Sequence, residues 1–372
     1  MRDPVSEPSR KEQLLDLIRA NPFISQQELA EQLAMSRSAV AGHIATLIRE
    51  RRLLGRAYVF PDRRPVLCIG AANLDRKLRP LQPLQMGTSN PASAEESFGG
   101  VARNIAENLA RLDLPCGLLT ALGDDSSGRA LRAQAESSGI DMAGSLQLNG
   151  MGSGTYTAVL DAKGELVVAL ADMALYDMLT PPFLTSRQPQ RSAAAMVIAD
   201  LNLPLDSVAM LLSDARESGV PLVIVAVSQP KMARLPRDLR GLKLLILNRG
   251  ELETRVGRAL PTEADVQEAC REVQSQGAQQ VIVTCGAQGV YHTMPEGLHW
   301  LAAHDAKVVD VTGAGDAFSA AVCWSLVQEA GDLHLACERG LLAAALTLES
   351  PHTVSPALSA EKLGAHTPLE RD

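Results

Sequence analysis

Aromatic side chains are scarce in this sequence: five Phe, four Tyr and two Trp make up 3% of 372 residues. A core of any size must therefore be built from Leu, Val, Ile and Ala. No two of the six cysteines have CxxC spacing, and Cys68, Cys285 and Cys323 stand inside apolar runs. This argues against a zinc site or a disulfide frame and for small buried thiols in a reducing compartment. No apolar run approaches ~20 residues, so no membrane span is expected. The N-terminus, MRDPVSEPSRKE, does not read as a signal peptide, and a cytoplasmic protein is expected.

What is present fits a globular chain: 46% hydrophobic and 21% charged residues. The length suggests two domains, or one large domain with an appendage. The net charge of −8 is uneven: residues 1–64 carry 11 Lys+Arg against 8 Asp+Glu, a net of +3, which leaves −11 for the rest. A basic head on an acidic body is the implied layout.

Residues 1–60 read as that head. Ser9-Arg-Lys-Glu12 and Ser25-Gln-Gln-Glu28 are capping-box patterns, each opening a short helix, with Leu14, Leu15 and Ile18 at helical spacing in the first. Ser36 can cap a third helix, whose stripe is Val40, Ile44, Leu47 and Ile48. RRLLGRAYVF (51–60) follows as a hairpin-like segment. Three short helices and a β wing resemble the winged helix-turn-helix fold, whose third helix enters the major groove of DNA. Arg37, Ser38 and His43 would face the DNA, with Arg51, Arg52 and Arg56 near phosphates. The alternative is a helical docking or oligomerisation domain with a solvated basic face. Residues 61–65 read as a linker.

From residue 66 the texture changes. VLCIGA (66–71), CGLLTAL (116–122), MVIADL (196–201), PLVIVAV (221–227), KLLILN (243–248) and QVIVTCG (280–286) are short apolar runs, mostly separated by amphipathic segments of helix length. That alternation predicts an α/β domain with a mostly parallel sheet covered on both faces. Ligands of such sheets sit beyond the carboxyl ends of the strands, where Asn73, Asp75, Asn202, Asn248 and Thr284 stand. Residues 151–170 read as a hairpin about Asp161-Ala-Lys-Gly164, and together with an irregular stretch at 76–98 they form an expected β lid.

In KVVDVTGAGDAFSAAV an apolar strand is expected to run into Gly313-Ala314-Gly315, next to Asp316, at a helix start. Converging backbone N–H groups and the positive helix end make a natural anion cradle. A carboxylate beside it suits a general base that takes a proton from an attacking hydroxyl during phosphoryl transfer. The plain alternative is a turn whose Asp caps the helix. A second glycine-led helix, GGVARNIAENLARLD (99–113), would turn Ile105, Leu109 and Leu112 inward and carry Asn104 in its first turn.

Together, GGVARNIAENLARLD and DVTGAGDAFSAAV resemble the two signature segments of the ribokinase-like (PfkB) carbohydrate and nucleoside kinase family, over roughly residues 66–363. The resemblance implies ATP and Mg²⁺ as cofactors. It implies Asp316 as catalytic base and Gly313, Ala314 and Gly315 as anion hole. Asn73 and Asp75 would grip sugar hydroxyls with Gly99, Gly100 and Asn104. Asn248 and Glu251 would organise Mg²⁺ and phosphates through water, and Thr284 and Gly286 would touch the nucleotide. Asp310 and Thr312 resemble part of a monovalent-cation site, so K⁺ is a further candidate. Members often pair through their lids, which implies a homodimer.

GGVxRNIAxNL, the lid segment TYTAVLDAKGELVVALADM, and Asn202 in place of an acidic residue are similar to the pseudouridine-kinase branch. The expected substrate is pseudouridine, phosphorylated at its 5′-hydroxyl; Thr155 and Tyr156 would touch the base. Other nucleosides and ribose-type sugars stay open, as does a ligand-sensing regulator that uses the kinase fold as a sensor. The head suggests regulation of the chain's own gene. Residues 364–372 read as a loose polar tail.

Overall fold

Side-chain caps set the first helices in the computed structural model, which describes residues 9–21, 24–53, 64–161, 165–329 and 331–364. Ser9 accepts from the Glu12 N–H to open α1 (Arg10–Ala20). Ser25 and Glu28 close a reciprocal capping box on α2 (Gln26–Gln32), and Ser36 accepts from the Ala39 N–H at α3 (Arg37–Arg49). Leu14, Leu15, Ile18, Leu29, Val40, Ile44 and Leu47 bury each other in a small aliphatic core. Ile48 departs from the expected stripe and is 37% exposed. One residue past Leu47 it lies about 100° further round the helix, off the buried face. The expected wing from residue 54 onward, Arg56, residues 61–63 and the tail from 365 lie outside the described residues.

Chain contacts divide the molecule into two units, Met1–Arg64 and Pro65–Asp372. The second begins with β1 (Val66–Ile69), β2 (Asn73–Pro80), β3 (Ala92–Gly99), α4 (Val101–Arg111), β4 (Cys116–Leu119), β5 (Ala121–Gly123), α5 (Ser126–Ser137), β6 (Ile140–Asp141) and β7 (Leu146–Leu148). It continues through β8 (Thr155–Leu160), β9 (Leu166–Asp172), α6 (Pro181–Ser186), α7 (Gln188–Ala193), β10 (Met196–Asp200), α8 (Leu205–Ser218), β11 (Leu222–Val225) and β12 (Leu242–Asn248). It ends with α9 (Arg249–Val256), α10 (Glu263–Ser275), β13 (Gln280–Thr284), β14 (Gly289–Met294), β15 (Gly297–Ala302), α11 (Ala314–Gln328) and α12 (Leu333–Leu348).

Nine strands form the central sheet in the order β15-β14-β13-β12-β11-β10-β1-β4-β6, parallel from β6 to β13 with an antiparallel pair at one edge. The runs are apolar throughout because both faces are covered. Val66, Cys68, Ile198 and Ile246 feed the core under α4, α11 and α12, while Leu67, Ile69, Ala199 and Leu245 feed the opposite core. This is the period of two of a strand expressed as two hydrophobic layers. Each fully buried Leu or Ile here contributes about 1.5–3 kcal/mol. The chain leaves β1 toward β4 and returns on the other side at β10, so the crevice beyond β1 and β10 is the switch point where ligands of such sheets bind.

A second sheet, β3-β2-β8-β9, is the expected lid. The stretch 76–98 is irregular only in its middle, 81–91; on either side β2 and β3 pair in unbroken antiparallel register from Asn73↔Gly99 to Pro80↔Ala92. β2 carries Asp75, Arg76, Lys77 and Arg79 among its eight residues and β3 is exposed over Ala92–Ser97, so no clean apolar alternation announced them. The strand expected before Gly313 is also corrected. Residues 303–313 are irregular, and Val308, Val309 and Val311 are 57–70% exposed. The backbone N–H groups of Val309 and Asp310 turn to the Leu348 carbonyl at the end of α12, so this run joins no sheet.

Candidate active site

Two glycine-led helices converge at the switch point. Gly100 opens α4 at φ +99°, and a Cβ there would lie 2.4 Å from the Ala71 carbonyl oxygen. A Cβ on Gly99 would lie 2.1 Å from Asp75 Oδ2. Only glycine lets the helix start so close to the β1–β2 connection. α4 then packs on α11, a helix whose buried residues include the small Ala317, Ala320 and Ala321. Trp324 Nε1 donates to the Leu112 carbonyl at 3.0 Å and pins the far end of the pair.

That packing brings Asn104 to Asp316, with Nδ2 donating to Oδ2 at 2.7 Å. The amide is itself oriented. Arg103 Nη1 donates to Asn104 Oδ1 at 2.9 Å and to the Phe98 carbonyl at 3.0 Å. The guanidinium is buried, paired with Glu107 and bonded to Gln134 Oε1 at 2.7 Å. Sequence reasoning missed Arg103; its signal was a charge in the first turn of an otherwise core-facing helix.

Gly313 caps α11 in left-handed conformation, φ +83°, and a Cβ there would strike the Thr353 carbonyl at 2.0 Å. Gly315 is different: beyond its own turn of helix no atom lies within 4 Å of its notional Cβ, so a methyl there would meet open space. No side chain caps this helix. Asp316, in its first turn, is therefore not consumed as a cap, and the positive helix end stays available. Burial raises the Asp316 carboxyl to about 7, and the Asp200 and Asp75 carboxylates push the same way against Asn104 and Arg103. Asp75 accepts from Asn73 Nδ2 at 2.5 Å, and burial raises it to about 6 despite Asn73, Lys77 and Arg103.

Asp200 was also missed. Its signal was an acid ending the apolar run MVIAD. Only 1% exposed, it accepts from the N–H groups of Ala71 at 2.9 Å, Ala102 at 3.0 Å and Asn202 at 2.8 Å. It thus ties the ends of β1 and β10 to the start of α4, where a carboxylate answers the helix dipole. Burial shifts it upward and its hydrogen bonds oppose that shift. Asn202 is 4% exposed.

The remaining predicted residues fall into separate groups. Asn248 and Thr284 are register partners at the carboxyl ends of β12 and β13, and Gly286 follows at φ +58°. Asn248 and Glu251 form a capping box on α9, with reciprocal bonds of 2.7 and 2.9 Å. Burial raises the Glu251 carboxyl. Asp310 accepts from the Thr312 N–H and hydroxyl at 2.9 and 2.7 Å, and it pairs with Lys77 of β2, a residue the sequence did not single out. Thr155 and Tyr156 lie in β8, opposite Leu74 and Asp75 of β2.

In the first unit Arg37 and Ser38 are exposed at the start of α3, and His43 is half-buried. Arg52, expected near phosphate, is engaged within its own unit. Its guanidinium makes a bidentate pair with Glu12 at 2.6 and 2.7 Å, joining the end of α3 to α1.

Chemically, the arrangement offers a carboxylate titrating near neutrality beside an open, uncapped helix end. It can take a proton while backbone N–H groups receive an anion. Among the described residues there is no cluster of three or more His, Cys, Asp or Glu that could hold a metal ion. No described helix is long and apolar enough to cross a membrane.

Comparison with known proteins accords with this. The description "pfkB family carbohydrate kinase" matches residues 63–360, and "Winged helix-turn-helix DNA-binding" matches residues 9–51. The chain is 30% identical to the uncharacterized sugar kinase YeiI of Escherichia coli (strain K12), over 97% of this chain and 99% of the relative. It is 34% identical to pseudouridine kinase of the same organism, over 70% and 83%. The solved structure of Arabidopsis thaliana ribokinase complexed with ribose and ATP shares the fold, with TM-score 0.71, 19% identity, and 81% of this chain and 97% of that chain covered. With a helix-turn-helix unit at its N-terminus, the chain belongs to the pfkB family of carbohydrate kinases.

Proposed function

We propose that the second unit transfers the γ-phosphoryl group of ATP to the 5′-hydroxyl of a nucleoside, pseudouridine before others. The observation that carries this is Asp316, held by Asn104 and raised toward neutrality at an open glycine-rich helix start. Asn73 and Asp75 bind ribose hydroxyls, and Asn104 keeps the base aimed. Asp316 takes the hydroxyl proton as the oxygen bonds to the γ-phosphorus. The bond from that phosphorus to the β,γ-bridging oxygen breaks, and ADP leaves. The N–H groups of Gly313, Ala314 and Gly315 receive the charge of the moving phosphoryl group. Mg²⁺, when bound with ATP, neutralises phosphate charge. Asn248 and Glu251 stand on the nucleotide side, and their reciprocal bonds leave them to act on it through water. Thr284 and Gly286 border the nucleotide. Thr155, Tyr156 and Asn202 belong to the base end of the substrate.

Pseudouridine is favoured by the GGVARN helix start and by the 34% identical relative that bears that substrate's name. The first unit binds DNA through Arg37, Ser38 and His43 and couples nucleoside supply to transcription of the chain's own gene. Such coupling requires that ligand affinity differ between two states. A homodimer through the lid is supported by the exposed Leu166, Val167, Val168 and Leu170 of the edge strand β9.

The test is a phosphorylation panel with ATP, Mg²⁺ and pseudouridine, uridine, inosine, adenosine, ribose and fructose. Highest kcat/KM for pseudouridine is expected. A free sugar in first place overturns the substrate assignment. Absence of turnover combined with nucleoside-dependent shifts of a promoter fragment overturns the enzyme in favour of a sensor.

A further inference from the structure

The loop before the anion cradle already contains a cation, and it belongs to the protein. β2 alternates its side chains, so Asp75 and Lys77 share one face while Arg76 turns to the other and pairs with Glu96 at 2.7 Å. The face that presents Asp75 to the site therefore presents Lys77 two residues further along the lid. Its ammonium meets Asp310 Oδ2 and lies 3.4 Å from Thr312 Oγ1. The other Asp310 oxygen is taken by the Thr312 N–H and hydroxyl. Burial alone would raise the Asp310 carboxyl, yet the bonds from Lys77 and Thr312 leave it below the usual carboxylate range.

These are the two residues whose resemblance suggests a monovalent-cation site, and the residues present do not fit a free ion there. Both carboxylate oxygens are engaged, and K⁺ would have to approach an ammonium of the same charge. An ammonium on a flexible stem is itself a compact point charge with three donors. The loop is short and confined: Asp310 leads in three residues to Gly313, which packs against the Thr353 carbonyl. A positive charge at Asp310 thus bears on the segment whose N–H groups form the cradle. The pair also borders a cleft of about 600 Å³ edged by Arg103, Glu107 and residues 351–354, so small ions reach it from solvent.

We propose that Lys77 is the resident cation of this loop: its ammonium stands where a monovalent metal would, and the protein works without K⁺. Because Lys77 rides on the lid, the same contact ties the lid strand to the cradle. The inference rests on the kinase reading only for its activity measurements.

The full-length chain and Lys77→Met are compared in KCl, NaCl and choline chloride at equal ionic strength, by melting temperature without substrate and by phosphoryl transfer. The unsubstituted chain is expected to give the same melting temperature and turnover in all three salts. Lys77→Met is expected to lose turnover by on the order of tenfold or more in choline. KCl, but not choline, is expected to restore much of that loss and to raise the variant's melting temperature. Several-fold activation of the unsubstituted chain by K⁺ overturns the proposal. So does a Lys77→Met variant that keeps full turnover in choline, or one whose melting temperature and turnover ignore K⁺. Lys77→Arg, which keeps the charge, is expected to stay indifferent to K⁺, and its dependence on K⁺ overturns the proposal even if Lys77→Met does not fold. Absence of any phosphoryl transfer would refute the kinase reading alone, since the melting series is read without substrate.

Discussion

Replacing Asp316 by asparagine separates a catalytic base from a structural acid, because the two roles predict opposite effects on stability. In the folded chain burial raises the Asp316 carboxyl from 3.8 to about 7. Between these values the folded state keeps a proton that the unfolded state has released, so stability falls as pH rises through this window. A shift of about 3 units corresponds to roughly 4 kcal/mol, and partial exposure of the group reduces this to about 2 kcal/mol. The substituted amide carries no charge, and its carbonyl still accepts the Asn104 N–H. At pH 8 the Asp316→Asn variant should therefore be more stable by that amount, raising the melting temperature by about 3 °C for a unit of this size. At pH 4 the advantage should vanish. Turnover should fall by roughly 10²–10⁴-fold at every pH, the usual contribution of general base catalysis. Calorimetry across pH with parallel kinase assays tests both arms. A variant that is less stable than the parent at pH 8, or that turns over near normally, refutes the reasoning.

Further outcomes follow from the same geometry. Gly313→Ala should destabilise the chain by about 2 kcal/mol or more, because its Cβ meets the Thr353 carbonyl at positive φ. Gly315→Ala should leave the denaturation midpoint unchanged or slightly raised while weakening ATP use by about tenfold, since its methyl enters open cradle space; equal stability losses would contradict the assignment. Asp200→Asn should lower the urea midpoint by an amount equivalent to about 1–3 kcal/mol, because an amide cannot accept all three N–H groups now bonded to the carboxylate. The kcat/KM profile should rise with pH and level off once Asp75 and Asp316, raised to about 6 and about 7, have ionised; a profile flat from pH 5 to 8 would remove both from the reaction.

The sequence by itself determined what depends on near neighbours along the chain. The Ser25–Glu28 box and the Ser36 cap are decided within four residues, so the helix starts of the head could be read directly. The apolar runs from Val66 to Thr284 announced a parallel sheet because strands covered on both faces have no solvent side for polar residues to alternate toward. The two glycine-led segments were legible because a side chain at Gly100 or Gly313 would place its Cβ under 2.5 Å from a neighbouring carbonyl oxygen, which only glycine avoids. What lacked such a local mark was misread or unseen. β2 and β3 are rich in charged and small residues, and the valines before Gly313 mimic a strand while lying exposed. Only the tertiary structure decided which charges meet. Asp316 reaches Asn104 across 212 residues, Asp200 gathers N–H groups from 98 and 129 residues away, and Lys77 meets Asp310 across 233. Such contacts are set by sheet order and helix packing, and spacing along the chain carries no trace of them.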